Sequence, residues 1–144
     1  MAHKLTVVYD GQTFTRSTNR TYTHVVLVRN DLKKVLDRSA LYAPIEKRSF
    51  DRLERIAAGT YEYMNLVNED EVERAMFAVQ MGFADYNRHL VTEAVKRASA
   101  DFKPHWYVAG WCGRPDLAQK LRDQELKVAH SVAAEVVIVP VPQP

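Results

Sequence analysis

The chain has little of what marks several large protein classes. It holds one cysteine, Cys112, in 144 residues, which excludes an internal disulfide framework and suits a reducing compartment. No apolar run approaches the ~18 residues that a membrane span needs. The opening MAHKLTVVYD lacks the apolar core of a secretory leader, so a soluble, intracellular protein is expected. Glycine (five) and proline (six) are sparse, and no repeat, low-complexity stretch or linker interrupts the chain. Residues 1–144 are therefore expected to form a single domain.

Catalytic signatures are missing as well. There is no GxxxxGK[ST] phosphate loop, no GxGxxG, HExxH, CxxC or GxSxG. The five histidines stand in the contexts His3-Lys-Leu, His24-Val-Val, His89-Leu-Val, His105-Trp-Tyr and His130-Ser-Val. None fits the paired His-x-Thr/Ser pattern of two-histidine phosphoesterases. Glu69, Asp70, Glu71 and Glu73 are accounted for by a helix start, where carboxylates meet the positive end of the macrodipole. No nucleophile, base and oxyanion site assemble, so no catalytic residue, metal or cofactor is assigned, and binding is favoured over an enzyme.

Net charge is +2, too small by itself to argue for nucleic acid. It is unevenly spread. Residues 1–52 carry ten Lys/Arg against five Asp/Glu, and residues 53–100 carry five against eight. A basic first third hints at an anionic ligand.

What the chain does have is patterned. LTVVY at 5–9, Asp10-Gly11 and QTFTR at 12–16 read as a tight hairpin. TYTHVVLVR at 21–29 turns apolar on both faces toward its end and reads as a central strand with Arg29 at its edge. DLKKVLDRSALYA, capped by Asn30 or Asp31, predicts a short helix ending before Pro44. Ser49 is the expected cap of FDRLERIAAG, which Gly59 ends. Residues 69–100 carry the longest helical pattern, expected to be continuous or slightly kinked at Gly82. A strand at 106–111, a helix at 115–127 and a strand at 134–141, with Pro140 marking an edge or an end, complete the chain. The order β-β-β-α-α-α-β-α-β predicts an α+β fold with a mostly antiparallel sheet of about five strands and helices packed on one face.

The segment HWYVAGWCGRPDLAQK joins a strand to a helix start, where unpaired N–H groups and the macrodipole favour an anion. Arg114 sits at that end, although cations prefer the opposite one. If its strand neighbours the one ending in Arg29, the two guanidinium groups would converge on one rim as a phosphate clamp. Trp111, Phe83 and Tyr86 are stacking platforms or core residues, and Asn87 lies one helical step from Phe83. Arg16, Arg20, Lys33, Lys34, Arg52 and Arg55 are further basic positions.

TYTHVVLVR after FTRSTNR, a long helical region, and GWCGRPDLAQK before a short closing strand resemble the first phage Thoeris anti-defence family. The similarity spans most of the chain in element order. Such proteins are sponges that sequester cyclic ADP-ribose-type immune signals without cleaving them. The resemblance implies that Arg29 and Arg114 grip the pyrophosphate. It gives Phe83 and Asn87 as the nearest matches to the aromatic and amide that hold the base. It further implies a homo-oligomer, dimer or hexamer, acting in the cytoplasm of an infected bacterial host. A second site for cyclic oligonucleotides would have Arg55 and Arg88 as its equivalents. The alternative from the residues is an accessory protein that inhibits a host protein by direct contact.

Overall fold

A computed structural model describes residues 2–128 and 131–143; His130 lies outside them. Among the described residues the architecture is α+β, with five strands and five α-helices, one helix more than the expected β-β-β-α-α-α-β-α-β order. The strands do not join in one sheet. β1 (His3–Tyr9) and β2 (Gln12–Thr18) form a two-stranded antiparallel ribbon. β3 (His24–Asn30), β4 (Trp106–Cys112) and β5 (Ala133–Pro140) form a separate antiparallel sheet in the order β4-β3-β5. Across the span expected to be one domain, the chain gathers into two compact units. One comprises residues up to 35 together with those from 102, and the other residues 36–101.

The first unit is built on β3. Its β-branched run places Val25 and Leu27 on one face and Val26 and Val28 on the other, all buried. Burial on both faces explains why this strand reads as continuously apolar. The hairpin covers the first face with Leu5 and Val7, beside Tyr22, Trp106 and Val141. Asp10 and Gly11 both have positive φ (48° and 76°), the geometry that lets a two-residue turn follow the strand twist. The hairpin tip is fastened to β4: the Gln12 amide bonds both Trp106 N and Trp106 O, and Asp10 accepts from the Trp106 indole N–H at 3.0 Å.

The opposite face receives α5 (Pro115–Lys127) through Ala118 and Leu121. Pro115 starts that helix at no hydrogen-bond cost, and Asp116 and Lys127 complement its dipole at the two ends. Gly110 permits the close approach, because a Cβ there would stand 2.7 Å from Leu121 Cδ2. A bulge leaves Ala109 unpaired opposite the Val26/Leu27 step. Helices are expected on one face of the sheet, and within this unit α5 packs there.

α1 (Leu32–Tyr42) is capped by Asp31, whose carboxylate accepts from Lys34 N at 2.9 Å. The second unit is helical. α2 (Lys47–Ala58) begins before Ser49, contrary to the expected cap: Phe50 N already bonds Glu46 O, so Ser49 lies inside the first turn. Gly59 ends it in the left-handed conformation. A single 3-10 turn (Met64–Leu66) leads to α3 (Glu69–Met81), capped by Asn68.

The expected long helix over 69–100 is in fact two. Gly82, at φ 90° and ψ 160°, separates α3 from α4 (Phe83–Asp101). In one continuous helix Phe77 and His89 would be about 18 Å apart along the axis. Their rings meet at 5.1 Å, so the chain turns back sharply at Gly82. α2, α3 and α4 close around Phe50, Ala78 and Tyr86, with Leu53, Phe83 and Leu90 packed against them. Among the described residues no helix is long and apolar enough to cross a membrane.

Candidate functional site

The two arginines expected to converge do not. β3 and β4 are neighbours, as the clamp requires, but they run antiparallel, pairing Arg29 with Trp106 and His24 with Cys112. Arg29 thus lies at one end of the pair and Arg114 beyond the other, roughly 20 Å apart at the ~3.4 Å rise of a strand. Each has its own partner. Arg29 pairs with Glu135, its cross-strand neighbour on β5, and its guanidinium rests 5.3 Å from the Trp106 ring centroid. Arg114 occupies the N-cap of α5, exposed, 3.4 Å from Asp116.

Trp111 is half-buried against the hairpin-side core, tilted toward Tyr22 at 6.4 Å. In the helical unit, Phe83 packs edge-on to Phe50 at 5.3 Å. Asn87 is committed structurally: its amide accepts from Ile45 N at 2.9 Å and donates to Ile45 O at 3.3 Å. Arg88 pairs with Asp85 one turn away, and Arg55 lies over the Tyr61 ring. These residues are explained by packing and local pairing.

A cavity of about 650 Å³ opens in the helical unit instead, within the range usual for small-molecule sites. The chain before α2 contributes Ala43 and Ile45, the latter held by the Asn87 clamp. α2 supplies Ser49, Arg52 and Leu53 at helical spacing, and α3 supplies Arg74 and Phe77. α4 supplies Tyr86, His89, Leu90, Glu93 and Arg97, again one stripe. Phe77, 43% exposed, sets its ring against both Tyr86 and His89. α2 and α3 pack on each other across the 59–68 connection, and the turn at Gly82 brings α4 back against α3 to close the space.

The chain matches no family model, no curated protein and no solved structure.

The electrostatics are local. Residues 36–101 carry nine Lys/Arg against twelve Asp/Glu, yet the cavity collects three arginines and one glutamate. Arg52 is pre-set: Tyr61 Oη accepts from its Nε at 3.2 Å, the Tyr61 ring lies 5.0 Å below it, and Glu71 stands 3.9 Å away. The Tyr61 hydrogen bond, joined by the electrostatic pull of Tyr61 and lastly of Glu71, outweighs desolvation and holds its pKa above the usual guanidinium value. Among the described residues the side chains of Arg74, Arg97 and Glu93 have no hydrogen-bond or ion-pair partner. Unpaired guanidiniums around aromatic edges suit a ligand with both an anionic group and a flat ring.

Sequence reading missed this constellation. Arg52 is only one of several basic positions in the sequence, and in the 86–100 segment the pattern points to Tyr86, Asn87 and Arg88 rather than to His89, Glu93 and Arg97. The spacing Tyr86, His89, Glu93, Arg97 was the available signal, but Arg74 and Phe77 join it through tertiary packing. Cys112, elsewhere in the chain, is buried, and burial pushes its thiol pKa up, as for a packing residue rather than a nucleophile.

Proposed function

We propose that this protein binds an anionic, ring-bearing small molecule of the nucleotide-derived class in the helical cavity and holds it without cleavage. This keeps the sponge reading implied by the Thoeris anti-defence resemblance but transfers its site. Arg74, Arg97 and Arg52 take the anion in place of Arg29 and Arg114, and Phe77 and His89 meet the ring in place of Phe83 and Trp111. The observation that carries the reading is the gathering of three arginines and an aromatic edge at one cavity of an otherwise acidic unit. Sequestration inhibits signalling by mass action, provided that affinity exceeds the receptor's and the protein is abundant.

Calorimetry with cyclic ADP-ribose isomers and with AMP, followed by heat release of the ligand, tests it. Stoichiometric binding, loss of affinity in the Arg74→Ala/Arg97→Ala variant and recovery of unchanged ligand are expected. A converted product means an enzyme. Absence of binding, with a host protein retained stoichiometrically, means the protein-inhibitor alternative.

A further inference from the structure

Along α4 the residues facing the cavity follow a chemical order. Tyr86 and His89 set two rings at its start, Glu93 follows four residues after His89 and Arg97 four further, each of these steps about 6 Å along the axis. Glu93 is the one residue there that opposes an anion. It shares the cavity with three guanidinium groups and bonds none of them, so its acceptor positions remain available. A carboxylate in such a place weakens binding of a bare polyanion, and it rewards a ligand that brings hydroxyl donors between its ring and its phosphate. Ring, hydroxyls and phosphate in that sequence are the parts of a ribonucleoside 5′-phosphate.

We propose that Glu93 is a specificity-determining residue, whose carboxylate accepts hydrogen bonds from the ribose hydroxyls of a ribonucleoside 5′-phosphate unit. The base then lies against Phe77 and His89, and the phosphate at Arg97 and Arg74. The proposal rests on the binding reading above and adds to it the choice of ribose over deoxyribose and the direction in which the nucleotide lies.

The test uses the full chain with three probes: AMP, 2′-deoxy-AMP and inorganic pyrophosphate. Wild type should bind AMP about tenfold or more tightly than 2′-deoxy-AMP, the value of a hydrogen bond to a charged acceptor. Glu93→Gln should shrink that ratio severalfold and Glu93→Ala should erase it. The same substitutions should leave pyrophosphate binding unchanged or tighter, because a repelling charge is removed. This opposite sign is not expected from a merely structural role. If AMP binding depends on Arg74 and Arg97 but shows no ribose preference, or a preference that Glu93→Ala leaves intact, the Glu93 proposal is overturned and the cavity reading stands. If none of the three probes binds, the Glu93 proposal is overturned, and if cyclic ADP-ribose isomers also fail to bind, or if AMP binding is indifferent to both arginines, the two fall together.

Discussion

Replacing Gly82 isolates the device that makes the cavity. Its φ of 90° and ψ of 160° lie in a region open essentially to glycine alone. A Cβ built there meets nothing within 4 Å, so the cost of Gly82→Ala is conformational rather than steric. Such backbone strain costs about 1–3 kcal/mol. Alanine also restricts the unfolded chain, which offsets about 0.4–1 kcal/mol. The net expectation is a loss of about 1–2 kcal/mol, or roughly 3–7 °C in the melting temperature of a chain of this size. Urea unfolding followed by far-ultraviolet circular dichroism measures it. Gly59 provides the control, since its φ of 73° and ψ of 15° form an ordinary left-handed cap that asparagine tolerates. Gly59→Asn should be close to neutral while Gly82→Asn costs as much as Gly82→Ala. Equal effects at the two glycines, or a more stable Gly82→Ala, would refute the argument that α3 and α4 are separated by a conformation only glycine holds.

Asn87→Ala removes both bonds to the Ile45 backbone and should cost about 1–3 kcal/mol in the same unfolding assay, with weaker AMP binding because the Ile45 wall loosens. Arg29→Ala should cost no more than about 1 kcal/mol, since its partner Glu135 is solvent-exposed, and should leave ligand affinity unchanged; a large loss of affinity would restore Arg29 to the site. Cys112 should react with iodoacetamide at pH 7.5 far more slowly than a free cysteine and at full speed only in denaturant, as followed by mass spectrometry.

Much of the fold is legible locally because its signals are local. Asp10-Gly11 specifies a turn through positive φ at adjacent residues, Asn68 caps α3 through its own side chain, and Gly59 ends α2. The alternation in VVLV, apolar on both faces, marks β3 as central. The helix break was visible as Gly82 but not as a reversal, because a glycine in a helical pattern is equally compatible with a mild bend. The site was the least legible part. A strand-end arginine looks free in the sequence, and only the register that sets Glu135 beside Arg29 shows it engaged.

By itself, then, the sequence determined the element order, the hairpin, the central strand and the presence of a helix start at GWCGRP. These depend on neighbours a few residues apart, whose backbone preferences and spacing act without the rest of the chain. Tertiary structure alone decided that GWCGRP is not half of a clamp. The direction of a strand relative to its neighbour is a long-range property, and the antiparallel choice sends Arg29 and Arg114 to opposite ends. It also decided where the arginines do gather, because Arg52 and Arg74 lie on helices packed together across the 59–68 connection, and Arg97 joins them only when α4 folds back at Gly82.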